Sequence, residues 1–287
     1  MAVRWCAKRL ATMTEPKGSA AASHGSTIVA VLPAAGSGTR FGGELPKQYA
    51  RLGGRRLIEH AIGTLLGVEA VRAVVLVLAE HDRRFDGLES ASDARILAVA
   101  GGATRAASVQ AGVQAVADRF GDDAWALVHD AARPLITGED IRRLIAQVLG
   151  QGGHGGHGGI LAARVVDTLK RERPIARDEH GTAPATGHSS SAPGVQVEST
   201  VAREGLWQAQ TPQLFRAGAL ARAYADAAAD GVLPTDEASV MERTGVDCLL
   251  VEALHPNFKI TRPADLALAE AVLDTRDPSR HPSCNPS

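Results

Sequence analysis

Aromatic side chains make up only 3% of this chain, and cysteine occurs three times, at Cys6, Cys248 and Cys284. An odd number of distant cysteines with no CxxC pair excludes a disulfide framework and a cysteine zinc site, and suits a reducing cytoplasm. No apolar run approaches the roughly 18 residues a membrane-spanning helix needs, so no transmembrane helix is expected. Charge of one sign is missing too: 31 Lys and Arg against 32 Asp and Glu leave a formal net charge of -1. With no global field to draw in nucleic acid or a membrane surface, any anion must be held by a local site. Two phosphate-binding fingerprints are also absent from "VLPAAGSGTRFGGELPKQY", Val31 to Tyr49. No Gly-Lys-Ser/Thr follows its first glycines, and the GxGxxG pattern begun by Gly36 and Gly38 meets Phe41 at its third position. Hydride chemistry thereby loses its main support.

What is present suits a globular protein. A chain of 287 residues with 45% hydrophobic content can bury a large core. Strand-like runs alternate with helical patterns: "TIVAVLP" before a helix from about Leu57; "RAVVLVLA"; "RILAVAGG" before "RAASVQAGVQAVADRF"; "AWALVHD" before "EDIRRLIAQVLG"; and "GILAARVV". This rhythm predicts βαβ units and an α/β, doubly wound, mostly parallel sheet covered on both faces. Ligands in such sheets sit beyond the carboxyl ends of the strands. "PAAGSGTR", "AGGATR" and "HDAARP" each follow a predicted strand and so belong to that rim.

Two segments break the rhythm. "GQGGHGGHGG", Gly150 to Gly159, reads as a flexible linker, and its His154 and His157 lack an ordered third ligand for a metal. Between Arg171 and Thr200 strand-like ends flank a Ser/Thr/Pro/Gly middle, which predicts a β-hairpin arm over about 168–201 with a disordered tip. The expected organisation is a disordered leader over 1–26, one domain over 27–274 carrying the arm, and a disordered tail over 275–287.

The rim loops carry the chemistry. Gly36 and Gly38 let backbone N–H groups approach phosphate oxygens, and Arg40 and Lys47 add charge, a combination that suits a triphosphate; the bland alternative is a surface turn with two solvated cations. "HDAARP", His129 to Pro134, tilts the balance. Two alanines leave a pocket floor, with Asp130 free for a ribose hydroxyl or a metal and Arg133 for an anion, while Thr137 caps the following helix. "AGGATRAASV" adds Gly101 and Gly102 for close approach and the Ser108 hydroxyl for a nucleobase edge. Asp236 and Glu237 read as a helix start capped by Thr235, and Trp207 as a core anchor.

With these residues in view, the chain resembles the 2-C-methyl-D-erythritol 4-phosphate cytidylyltransferases. The resemblance runs in order through "PAAGSGTRFGGELPKQY", "AGGATRAASV", "VHDAARP", "VVDTLKR", "TVAREGLWQAQTPQLF", "TDEASVME" and "NFKITRPADLALAE", from Thr27 to Leu273. It implies CMP transfer from CTP to 2-C-methyl-D-erythritol 4-phosphate with release of pyrophosphate, on a Rossmann-like nucleotidyltransferase fold. It also implies Arg40, Lys47 and Lys259 as catalytic cations, with Mg²⁺ gathering the triphosphate and Asp130 near ribose and metal. Ala34, Ala35, Gly36, Gly38, Gly102, Arg105 and Ser108 match nucleotide positions; Asp130, Arg133, Thr168, Arg203 and Thr211 match positions for the sugar phosphate. Ala103 departs from the polar residue some relatives carry there. A cytoplasmic homodimer through the hairpin arm is implied as well, with Thr168 and Arg203 acting across its interface. The alternatives are the same transfer onto ribitol 5-phosphate, and a catalytically inactive nucleotide-binding module.

Overall fold

The computed structural model describes residues 27–36, 45–150, 157–174 and 195–276. The expected leader, Gly38 and Arg40 of the first glycine loop, His154, the tip of the expected arm and the tail from 277 lie outside the described residues.

In chain order the elements are β1 (Ile28–Pro33), β2 (Arg51–Leu52), β3 (Arg55–Arg56), α1 (Leu57–Leu66), β4 (Val71–Leu78), β5 (Ile96–Ala100), α2 (Arg105–Phe120), β6 (Trp125–Val128) and α3 (Gly138–Gly150). Then come β7 (Gly158–Arg164), β8 (Leu169–Pro174), β9 (Val195–Val201), β10 (Trp207–Arg216), α4 (Ala217–Ala229), α5 (Glu237–Glu242), β11 (Leu249–Glu252) and α6 (Ala264–Arg276). Contacts divide the chain into two compact units, Ala163–Gln208 and the residues on either side of it.

A seven-stranded sheet organises the larger unit, in the order β11-β7-β10-β6-β1-β4-β5. β1 pairs parallel with both β4 and β6, and β4 parallel with β5. Interior parallel strands are covered on both faces, which is why β1 and β4 read as continuous apolar runs. Within β1 the period of two still sorts the side chains. Ile28, Ala30 and Leu32 join a core with Ile58, Ile62 and Leu65 of α1 and Ile141 and Leu144 of α3. Val29 and Val31 face the opposite core, with Val109, Val113 and Val116 of α2 and Leu220 and Tyr224 of α4. Each such aliphatic side chain contributes about 1.5–3 kcal/mol of transfer free energy at most. Gly112 lets α2 sit close: a Cβ there would come within 2.5 Å of Val31 Cγ1 and 2.7 Å of Val77 Cγ2.

From β1 the chain steps outward to β4 and β5, then crosses back over β1 to β6. The loops leaving β1 and β6 therefore diverge, and this switch point is where an open α/β sheet forms its crevice.

One strand departs from the expected rhythm. β10 lies antiparallel to β6, from Gln213 opposite Val128 to Arg216 opposite Trp125. Its sequence, "WQAQTPQLFR", has no continuous apolar run, because the buried Gln213 is held by specific partners rather than by apolar packing. Gln213 Nε2 donates to Asp236 Oδ2 at 3.0 Å, and its Oε1 accepts from the Ala238 N–H at 2.8 Å, which fastens α5 to the sheet.

Two local expectations are corrected. Asp236, not Thr235, caps α5: its carboxylate accepts from the Ser239 N–H at 2.9 Å, since the chain reaches helical geometry one residue later than the Thr-Asp-Glu order suggests. Trp207 is half-buried rather than a core anchor, with the Arg164 guanidinium 4.3 Å above its ring; the deeply buried tryptophan is Trp125. Thr137 caps α3 as expected, accepting from the Asp140 N–H at 3.1 Å. In the smaller unit β8 and β9 pair antiparallel, with Leu169 opposite Val201 and a register slip between Arg171 and Glu172.

Candidate active site

A cavity of about 720 Å³ opens at the switch point, within the range that holds small-molecule ligands. Three strand ends build it: Ala34 to Gly36 after β1, Gly102 to Arg105 leading into α2, and Asp130 to Ala132 after β6. Lys47 and Lys259 line the same space.

Each wall has a local cause. Lys47 arrives on a short 3-10 turn, Lys47–Tyr49, and the adjacent buried Gln48 ties that turn to the first loop. Gln48 Nε2 donates to the carbonyls of Ala34 at 2.6 Å and Gly36 at 3.2 Å. The Ala34 N–H donates to Val77 O at 2.8 Å, so this backbone is rigid before any ligand arrives. Gly101 is obligatory: a Cβ there would sit 2.6 Å from Ala35 Cβ and 2.8 Å from Ser108 Oγ. Ser108 is buried, accepts from the Gly102 N–H at 3.2 Å and faces the Thr104 carbonyl at 2.9 Å. Thr104 caps α2 by accepting from the Ala107 N–H.

Lys259 comes from far along the chain, and backbone bonds explain its arrival. The Ile260 N–H donates to Ala132 O at 2.8 Å, and Arg133 Nη1 donates to Asn257 O at 2.7 Å. Asn257 Nδ2 in turn donates to Thr211 O at 2.8 Å. The segment is thus laid across the loop after β6, with Lys259 Nζ 2.7 Å from Asp130 Oδ2.

The free carboxylate expected at Asp130 is not what the structure contains. Besides Lys259, Asp130 Oδ1 accepts from Arg105 Nε at 3.1 Å and Nη2 at 3.0 Å. Burial alone raises this carboxyl, but the charges of Arg105, Lys259 and Arg133 outweigh it and hold Asp130 well below the usual carboxylate range. On its other side Arg105 meets Glu237, with Nη1 2.9 Å from Oε1. Composition gave no hint of this network, because its members lie on four separate segments, α2, α5, the loop after β6 and the segment after β11. Gln48 and Asn257 were likewise missed, although both sit inside quoted motifs, Gln48 beside Lys47 and Asn257 two residues before Lys259.

Arg133 is half-buried, and its Nε is buried without a hydrogen-bond partner among the described residues. Thr211 is buried and its hydroxyl is engaged within the protein. Thr168 and Arg203 belong to the smaller unit; both are exposed, and Arg203 donates to the Val166 carbonyl. Among the described residues no group of three His, Cys, Asp or Glu side chains gathers as a metal site.

His129 completes the support of Asp130 from below. A carbonyl can only accept, so the contact of Nε2 with Arg133 O at 3.1 Å places the ring proton on Nε2. Nδ1 then accepts from the Thr211 hydroxyl at 3.1 Å, and Thr211 Oγ1 accepts from the Asp130 N–H at 3.0 Å. Burial pushes the imidazole from 6.5 down to about 4. Above pH 6.5 it is neutral in folded and unfolded chains alike; between these values only the unfolded chain takes up the proton, so stability falls as pH drops through this window. The shift corresponds to roughly 3 kcal/mol. Urea titrations from pH 7 to 4 should show the stability of the native protein, relative to His129→Asn, shrinking by about that amount; a difference that stays flat with pH contradicts a buried neutral imidazole.

Known proteins match this chain along nearly its whole length. The family model described as "IspD: 2-C-methyl-D-erythritol 4-phosphate cytidylyltransferase" matches residues 28–275. A protein of that name from Chromobacterium violaceum is 47% identical over 252 residues, covering 87% of this chain and 99% of the relative. Another, from Stenotrophomonas maltophilia, is 45% identical over 88% of this chain and 98% of its own length. A crystal structure of a 4-diphosphocytidyl-2C-methyl-D-erythritol synthase superposes with a TM-score of 0.67 at 35% identity, covering 86% of this chain and 99% of that one. The chain belongs to the 2-C-methyl-D-erythritol 4-phosphate cytidylyltransferase family.

Proposed function

We infer that this protein transfers CMP from CTP to 2-C-methyl-D-erythritol 4-phosphate and releases pyrophosphate. The observation that carries the reading is the cavity that Lys47, Lys259 and Asp130 all line, together with alanines and glycines.

The chemistry follows from charge. A phosphate monoester has a second pKa of ~6, so at neutral pH the attacking oxygen is already ionised and needs no general base. Its lone pair forms a bond to the α-phosphorus of CTP while the bond to the bridging oxygen breaks and its electrons leave with pyrophosphate. The obstacle is the approach of two anions, which cations fixed in advance relieve. Lys47 and Lys259 supply that charge, with Arg40 from the first glycine loop. The backbone around Ala34, Ala35 and Gly36, together with Gly102 and Ser108, reads the cytosine edge. Gly101 lets these walls pack against one another, because a Cβ there would meet Ala35 Cβ at 2.6 Å and Ser108 Oγ at 2.8 Å.

Magnesium fits as an ion carried mainly by the nucleotide phosphates, since such ions take only one or two protein carboxylates and, among the described residues, Asp130, already paired with Arg105 and Lys259, is the carboxylate lining the cavity. When bound, it would neutralise charge on the triphosphate oxygens. For the sugar phosphate the reading takes Arg133, which directly follows the cavity-lining Asp130, Ala131 and Ala132. Thr168 and Arg203 are assigned to the same substrate through a homodimer, in which each smaller unit serves a second copy. Exposed Val166, Val195 and Val197 in that unit support such an interface. A cytoplasmic setting accords with three dispersed cysteines.

The test supplies Mg²⁺, each nucleoside triphosphate and either methylerythritol 4-phosphate or ribitol 5-phosphate, and measures pyrophosphate. Release with CTP and methylerythritol 4-phosphate alone is expected. Preference for ribitol 5-phosphate reassigns the acceptor, and no release with any pair refutes the transferase reading.

A further inference from the structure

Glu237 has no place in the chemistry above, yet it is 0% exposed and its carboxylate lies against Arg105 on the far side from Asp130. A fully buried acidic group is costly unless partnered, and this one has three contacts. Arg105 Nη1 donates to Oε1 at 2.9 Å, Arg105 Nη2 reaches Oε2 at 3.4 Å, and the Tyr224 hydroxyl donates to Oε1 at 3.0 Å. Burial keeps the Glu237 carboxyl above its ordinary range despite the Arg105 charge beside it.

The guanidinium has five N–H donors in a rigid plane. Its Nε and one Nη2 proton point at Asp130 Oδ1, and one proton each from Nη1 and Nη2 point at Glu237. With four of the five committed inside the protein, Arg105 has little left to offer a triphosphate and acts as a bridge between two carboxylates. Its placement has consequences for the reacting end. Because Arg105 takes Oδ1 of Asp130, Oδ2 is the atom left for Lys259, at 2.7 Å. Glu237 is itself fixed at the first turn of α5, which the Asp236 cap and the amide of Gln213 hold against the sheet.

We propose that Glu237, steadied by the Tyr224 hydroxyl, is a positioning residue that locks Arg105 against Asp130 and thereby sets where the Lys259 ammonium stands. The proposal rests on the transferase reading and adds a role for residues that touch no substrate. It accounts for a carboxylate buried next to a nucleotide cavity, where a negative charge facing the triphosphate would oppose binding: Glu237 is aimed away, with the guanidinium interposed.

The test compares Glu237→Gln, Tyr224→Phe, Arg105→Lys and Arg105→Lys with Glu237→Gln. Glu237→Gln keeps the shape and removes the charge, so kcat should fall about 10- to 100-fold while the affinity for CTP, measured by calorimetry, changes less than threefold. Tyr224→Phe removes one hydrogen bond and should lower kcat by about three- to tenfold. The double variant should be within threefold of Arg105→Lys alone, because Glu237 acts only through Arg105. Unchanged kcat in Glu237→Gln overturns the proposal, as does a double-variant loss equal to the product of the single losses. A loss of melting temperature with normal kcat in the folded fraction also overturns it, leaving Glu237 a stabilising residue only. If Glu237→Gln does not fold, Tyr224→Phe decides by the same split of kcat against affinity. Failure of the native protein to release pyrophosphate is a separate result, which refutes the transferase reading instead.

Discussion

Replacing Lys259 with alanine is expected to lower turnover by on the order of a hundredfold or more while CTP still binds. The loss has two parts. On the proposed mechanism a cation beside the α-phosphate is removed, and Asp130, whose Oδ2 lies 2.7 Å from Lys259 Nζ, is then less fully compensated and opposes the approaching anions. The fold should survive, because Asp130 keeps both contacts with Arg105 and the Lys259 side chain is already 39% exposed. Pyrophosphate release, CTP calorimetry and a melting curve check all three statements together. Turnover within threefold of the native protein removes Lys259 from the chemistry, and loss of CTP affinity alone makes it a binding residue. Arginine at this position should restore part of the rate, since it returns the charge in a planar fork of different reach.

Asp130→Ala should cost both activity and stability. Breaking a buried ion pair from one side commonly costs 3–5 kcal/mol, because the partner is left uncompensated. Two features reduce that figure: Lys259 can rehydrate, and Arg105 retains Glu237 at 2.9 Å. A loss of about 2–3 kcal/mol follows, which for a domain of this size lowers the melting temperature by roughly 5–10 °C. The pH dependence has a definite sign. Asp130 is depressed below its ordinary value of 3.8, so its stabilising contribution is fully present above that pH and is lost only as pH falls through the lower folded value. The gap between the native protein and Asp130→Asn should therefore be constant from pH 7 to about 4 and close below it. A gap that closes near pH 6 instead points to His129, whose window is higher.

Much of the architecture was legible because it depends on short-range pattern. α2 begins at Arg105 and ends at Phe120 as its periodicity indicates, since Thr104 caps it and Gly121 follows it with φ 93°. Interior strands announced themselves as apolar runs, and the loops after them fell on the carboxyl rim by a rule of chain handedness rather than of particular residues. β10 stayed hidden, because a strand that holds its place through the Gln213 amide carries no hydrophobic periodicity. Thr235 seemed the cap of α5 because sequence order cannot show where the backbone turns helical, and Asp236 took that role.

The site divides along the same line. Asp130 and Lys47 could be named from their loops, since a triphosphate site needs such charges, and Lys259 only from the family resemblance. Their sequence separation said nothing of mutual distance, and Asp130 seemed unencumbered because Arg105 lies 25 residues away and Lys259 lies 129 away. Glu237 seemed no more than a helix-start acid, because a buried carboxylate and an exposed one are the same letter.

By itself, the order of amino acids determined the layered α/β class, the rim on which a ligand sits and the kind of anion that its loops accept, since each depends on local periodicity and on the charge a residue type can carry. The pairing of Asp130 with both Arg105 and Lys259, the inward turn of Glu237 and the proton position on His129 were decided only in the folded molecule. Ion pairs and hydrogen bonds act over about 3 Å, and it is the packing of α2, α5 and the segment after β11 around one sheet edge that brings distant residues within that reach.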